Sequence, residues 1–321
     1  MPTSRDCSNL NQPERSRQRL WQPETGRRGF IATVAKAAGA AILINAPFAG
    51  NTSEAVTNTK KITVGEIMDA FTGEVSGAPF ANTVDTLKSG SRDIEVTGVV
   101  TSMFATLEVI NKAIAMNASF IIAHEPTYYN HLDETNWLEN DDVFRYKSEL
   151  LKQHNIAIWR NHDYIHRHQP DGVISDVVER LGWTSNYNSS NGIAQVSPMS
   201  LKNLIGHVKS KLGIDMLRYI GDPSQSCSKI LLMPGAAGGR RQILSMSKEK
   251  PDVLICGEIA EWETAEYVRD ARIKGEKLAL IVLGHIASEE PGSAYMARWL
   301  QNKFPVIKVT HVPAGNSLSF L

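Results

Sequence analysis

Charge of one sign is what this chain most plainly lacks. Its 34 Lys and Arg are balanced by 34 Asp and Glu, which leaves no basic footprint for nucleic acid. Cysteine is scarce too, with 3 in the whole sequence, too few for a small disulfide-stapled scaffold. Cys256 lies inside the apolar run VLIC and reads as a buried free thiol, while pairing with Cys227 in an oxidising compartment stays open. No apolar run reaches the roughly 20 residues that cross a bilayer. The body of the chain has no internal repeat and no low-complexity linker, so any second domain must be inserted rather than appended.

What the chain does have begins near its N-terminus. Met1 to Thr25 is polar and arginine-rich, and TGRRGFIATVAKAAGAAILINAPFAG follows. The pair Arg27 and Arg28, then Phe30 and a mildly apolar Ala/Gly stretch, has the form of a twin-arginine export signal. A short membrane anchor is the weaker reading, because Lys36 interrupts the stretch and Pro47 closes it. Residues 1–49 are therefore expected to be a signal, cleaved after Ala49 or Ala55, and residues 50–61 a polar linker. The mature chain, a mildly acidic body, is expected in the periplasm without a stable membrane anchor. Twin-arginine export moves folded proteins, which suits a chain that takes up a cofactor before leaving the cytoplasm.

From residue 62 onward short apolar runs alternate with helical patterns. IEVTGVVTSMF, SFIIA and IAIW read as strands, as do KILLMPG, DVLICGE, LALIVLG and VIKVTHV. TLEVINKAIAMNA, DVFRYKSELLKQHN, VISDVVERL, LKNLIGHVKSKL, TAEYVRDARI and SAYMARWLQNK carry helical spacing between them. The alternation predicts an α/β architecture with a largely parallel or mixed sheet. SNYNSSNG, residues 185–192, is the best internal boundary.

Three of the strands end in residues that bind metals. SFIIA runs into His124 and Glu125, IAIWRN into His162, Asp163 and His166, and LALIVLG into His285 and Glu289. Side chains at the carboxyl ends of strands in an open α/β sheet converge on the crevice where ligands bind. His162 and His166, like His285 and Glu289, are one helical turn apart and face the same way. Imidazole with carboxylate suits zinc, iron or manganese, and shared carboxylates allow two ions. A lone histidine at a strand end is usually an ordinary core or surface group, and His131, His154, His168 and His207 are read so. Four of the 9 histidines, however, follow strands with a carboxylate beside them or one turn away.

Two further features compete. PGAAGGRRQ, residues 234–242, offers backbone N–H groups ahead of a helix, as phosphate cradles do, with Arg240 and Arg241 behind. It lacks the spacing of a nucleotide fingerprint, and a tight strand-to-helix turn is the better explanation, with Arg240 and Arg241 keeping an anionic substrate in play. Glu258, Glu261 and Glu263 follow another strand; they read as a solvated face, except that Glu258, just after Cys256 and Gly257, is placed to reach the crevice.

IIAHEP, WRNHDYIH and VLGHIASE, in that order, resemble the strand-HHP, strand-H-T-x-x-D and strand-GH-x-x-SE pattern of the GTP cyclohydrolase 1 type 2, or NGG-interacting-factor-three-like, family of dinuclear-metal proteins. DTLKSG at Asp85, PGAAGG and DVLICGEI are similar to the family's supporting runs, and the resemblance extends from about Thr63 to the C-terminus. Two positions depart from it: Glu125 stands where the family has a second His, and His166 where it has Asp. The exchange keeps three imidazoles and two carboxylates, so the resemblance implies the ligand set His124, Glu125, His166, His285 and Glu289, with Glu289 bridging two divalent ions. His162 then becomes a partner just outside the ligands or an occasional ligand. The implied fold is two similar α/β lobes with mixed sheets around a metal crevice, with no inserted third domain. Lobe one would take residues 62–184 and 275–321, and lobe two residues 192–274. Homohexamers are implied as well.

Three functions follow as expectations. The first is an exported hydrolase in which a metal-bound water attacks a small-molecule substrate and His162 or Glu258 shuttles a proton. The cyclohydrolase name suits an exported chain poorly, since GTP is scarce there. The second is a non-catalytic oligomeric metal-binding scaffold, with closed coordination and no deep pocket beside the ions. The third is a nucleotide-binding module centred on PGAAGGRR.

Overall fold

The computed structural model describes residues 61–319. The signal and nearly all of the linker expected from the sequence lie outside them. The first half opens with α1 (Val64–Thr72), β1 (Leu87–Ser89), β2 (Val99–Ser102), α2 (Leu107–Ala115), β3 (Phe120–Ala123), α3 (Asp142–Gln153) and β4 (Ala157–Arg160). The short helix α4 (Asp163–Arg167) and α5 (Gly172–Leu181) follow them. The second half begins with β5 (Tyr187–Asn188) and β6 (Ile193–Ser200), then α6 (Leu201–Leu212), β7 (Arg218–Ile220), β8 (Ser226–Met233), α7 (Gly239–Glu249) and β9 (Val253–Cys256). It ends with α8 (Glu266–Ile273), β10 (Ala279–Val282), α9 (His285–Lys303) and β11 (Val309–His311).

Local chemistry sets many of the boundaries. Thr63 and Glu66 cap the start of α1 reciprocally, and Thr106, Asp141, Asp171 and Ser200 cap α2, α3, α5 and α6. Gly182 and Gly213 end α5 and α6 in the left-handed conformation that a Cβ disfavours.

The strands form two mixed sheets. The first runs β1-β4-β3-β2-β11, parallel except for β1. The second runs β5-β6-β8-β9-β10-β7, with β8, β9 and β10 parallel and the outer strands antiparallel. The central strands β2, β3, β4, β9 and β10 are buried along their whole length, as expected of strands covered on both faces. No inserted third domain occurs among the described residues.

Two helices belong to both halves. On α5, Val173 packs in the core of the first sheet, while Val177, Val178 and Leu181 pack in that of the second. α9 starts directly after β10 of the second sheet and buries Met296 and Leu300 in the first core. The two helices approach closely because Gly172 faces Tyr295 and Gly292 faces Val173; a Cβ at either glycine would collide.

Two expectations need correcting. Residues 279–282, assigned to lobe one from the sequence, form β10 and pair with β9 in the second sheet; only α9 and β11 cross back. Of the run Ile94 to Phe104, only Val99–Ser102 is strand, because Thr97 bonds instead to Ser119 and Asn117. Cys227 and Cys256 are both free and buried, in line with the buried free thiol read at Cys256 from the sequence. SNYNSSNG contains β5 and the turn into β6, where the second sheet begins.

Candidate metal centre

β3 hands the first two donors to the site. Past its last residue the chain stays bonded to the neighbouring strand, His124 N–H to the Ser102 carbonyl at 3.1 Å and Glu125 N–H to that of Met103 at 2.8 Å. His124 is buried. Its Nδ1 lies 3.2 Å from the Asn161 carbonyl, which accepts a hydrogen bond from Nδ1–H and leaves the Nε2 lone pair facing the cluster. That Nε2 has no hydrogen-bond partner; the nearest acid, Glu289 Oε2, is 3.5 Å away, beyond ordinary bonding distance.

β4 leads to the next pair. Asp85 is buried and accepts three backbone N–H groups, His162 at 2.8 Å, Asp163 at 3.0 Å and Tyr164 at 2.7 Å, which fixes the first turn of α4. His162 stacks on His124 with ring centres 4.8 Å apart, and His166 meets both edge-on. Asp171 orients His166 through a 3.1 Å contact with Nδ1, while its other oxygen caps α5. Donor atoms of His124, His162 and His166 lie within 4.8 Å of one another. His162, expected beside the ligands, therefore stands among three clustered imidazoles. Asp163 Oδ1 lies 3.0 Å from His162 Nδ1, while its Oδ2 accepts from Thr83 and the Val84 N–H.

β10 and α9 supply the rest. His285 opens α9, with Nε2 3.0 Å from Glu289 and 3.2 Å from Glu125, and Nδ1 2.9 Å from Glu258. His124, Glu125 and Glu289 form a second set of donors within 4.8 Å. Glu289 Oε2 thus faces His124 on one side and His285 on the other. The glycine-rich run makes room for it: Gly235, at φ 66°, would drive a Cβ into the Glu289 carboxylate, and its N–H donates to Ser288 at 2.9 Å. PGAAGG accordingly serves the acidic cluster. At the start of α7, Glu263 packs where Gly239 leaves space, so a carboxylate already faces the end that a phosphate would need.

The electrostatics favour a cation. Burial opposes charge on His285, yet Glu125, Glu258 and Glu289 outweigh it and lift the imidazole to about 12. Burial also works against the charged form of Glu289, but His124 and His285 hold its carboxyl well below the ordinary range. Glu125 is held down against burial by His285, His124 and His162. Burial, followed by the neighbouring His124 imidazole, pushes His162 down to about 4. Three converging carboxylates and an imidazole Nε2 with no partner are a donor set that fits divalent metal ions.

Sequence reasoning missed Arg160. It is fully buried, pairs with Glu125 at 3.0 Å and Asp133 at 3.5 Å, and donates to the carbonyls of His124 and His131. The signal was a cation closing an otherwise apolar strand. His131, read as a loop group, lines a cavity of about 1010 Å³ beside the cluster, together with Phe104, Tyr129, Lys147 and Ile286.

The sequence profile of the Duf34/NIF3 (NGG1p interacting factor 3) family matches residues 80–316. A Clostridium acetobutylicum protein called GTP cyclohydrolase 1 type 2 homolog is 26% identical over 227 residues, 67% of this chain and 80% of its own. One of the same description from Chlamydia pneumoniae is 24% identical, covering 72% and 89%. Among solved structures, a Staphylococcus aureus hypothetical protein superposes with a TM-score of 0.64 at 21% identity, over 81% of this chain and 99% of its own. A Bacillus cereus protein related to NIF3 gives 0.65 at 16% identity, with the same coverage. At these identities the structures show a shared fold.

Proposed function

This chain belongs to the Duf34/NIF3 family, and on that footing we propose that it is an exported hydrolase of small molecules that holds two divalent ions, zinc, iron or manganese, and assembles with copies of itself as a homohexamer. The observation that carries the reading is the buried His124 Nε2, free of any hydrogen bond, beside Glu289 and two further imidazoles. His124, His166 and His162 would hold one ion, Glu125 and His285 the other, with Glu289 between them. Ions held there supply Lewis-acid polarisation of a scissile bond and a water acidic enough to attack it.

The chain's own residues do the rest. Asn161 and Asp171 fix the rings of His124 and His166 through their second nitrogens. Arg160 balances Glu125 from behind. Glu258, half-buried and bonded to His285, is placed to carry a proton between the cluster and the cavity. The cavity favours catalysis over the scaffold reading, which expects no deep pocket beside the ions. The relatives' name suggests cyclohydrolysis, and a substrate other than GTP suits an exported protein better.

The test is elemental analysis of the mature chain purified from the periplasmic fraction, beside His285→Ala and Glu289→Ala. About two ions per chain, falling toward zero in both variants, is the expected result. Unchanged metal content rejects the site, and a chain confined to the cytoplasm rejects export.

A further inference from the structure

Apart from Glu108, which pairs with Lys112 at 2.7 Å, Lys147 is the one charged group in the cavity wall that the proposed centre does not use. It lies on α3, whose inward face consists of Lys147 and, one turn on, Leu151. A lysine on that face is unusual, because ammonium groups are rarely buried without a counter-charge. Its Nζ donates to the Thr127 carbonyl at 2.7 Å and sits 5.8 and 5.4 Å from the ring centres of Tyr128 and Tyr129. Among the described residues no carboxylate forms an ion pair with it. The acid nearest in the fold, Asp133, is already engaged. One of its oxygens accepts the N–H groups of Thr127 and Tyr128, and the other pairs with Lys88 at 3.2 Å and Arg160 at 3.5 Å. Of the three ammonium N–H groups, two are left for a ligand.

The surroundings point the same way. Tyr129 is held at φ 65°, a conformation rare for an aromatic residue and one that gathers at ligand clamps. Its ring stands exposed at the cavity. The cavity wall also includes Phe104, Leu107 and Ile286. Glu125, Glu258 and Glu289 converge on the histidine cluster instead, so Lys147 is left free to balance one negative charge.

We propose that Lys147 anchors the carboxylate of a small organic monoanion, whose apolar body lies against Phe104, Leu107 and Ile286 and whose reacting group reaches the histidine and glutamate cluster. A triphosphate would bring several charges to a single ammonium. That the anion is a hydrolase substrate rests on the function proposed above; the anion site itself does not.

The test uses calorimetric titration of the full-length mature protein, metal-loaded and EDTA-stripped, with benzoate, phenyl phosphate and neutral benzamide. Benzoate is expected to bind both forms, to weaken about tenfold or more in Lys147→Met, and to be largely retained in Lys147→Arg. Benzamide is expected to bind at least as weakly as benzoate binds the Met variant. Thermal melts of Lys147→Met should match or exceed the wild type, since an unpaired buried charge is removed; a structural lysine would lower them. Equal benzoate binding in wild type and Lys147→Met overturns the site, as do equal binding of benzamide, tighter binding of phenyl phosphate, or no binding of benzoate. Lys147-dependent binding that survives when elemental analysis finds no metal upholds the anion site while the metal reading fails.

Discussion

Arg160 joins two acids that would otherwise face each other in the interior: Glu125 from the end of β3 and Asp133 from the following loop. Taking away one partner of a buried ion pair leaves charge without compensation, at about 3–5 kcal/mol. Arg160→Met is therefore expected to lower the unfolding free energy in urea by about that amount. A loss near the 0–1 kcal/mol typical of surface pairs would show that the guanidinium is not the balancing charge. Arg160 also suits a carboxylate at position 125. A carboxylate there meets a buried cation, whereas an imidazole would leave Arg160 with Asp133 alone.

Among the elements, α4 is the most dependent on a distant residue. It has 5 residues, too few to be stable by itself, and Asp85 secures its first turn from outside. Asp85→Ala should cost about 1–2 kcal/mol, as losing a strong helix cap does, and should also reduce the metal content, because His162 and His166 ride on that turn. Stability lost at full metal content would mean that the imidazoles hold their places without the cap. The elements themselves were largely legible in the sequence. The strand ends and the one-turn spacings of His162 with His166 and of His285 with Glu289 are local patterns, and local patterns survive folding. Strand partners are not local, so LALIVLG could be read as a strand but not as the neighbour of VLIC. Lys147 and Arg160 escaped for the same reason: each is a cation in an apolar pattern, and what surrounds it comes from other parts of the chain.

At the scale of the whole molecule, α5 places side chains in both cores and α9 runs directly from β10 of the second sheet into the core of the first, so neither sheet can lose its packing while the other keeps it. Calorimetry of the mature chain is expected to show one unfolding transition, with its midpoint lowered by EDTA because ions bound only to the folded chain stabilise it. Two resolved transitions would show that the halves unfold separately.

The same helix has a consequence at the centre. Glu289, the acid facing both His124 and His285, stands on α9 two turns before Met296, whose side chain is fixed in the interior of the other half. The position of that acid is thus inherited in part from the seat of Met296, whose sulfur also meets the Asn161 side-chain amide at 3.5 Å, and conservative replacements there should be felt where the donors meet.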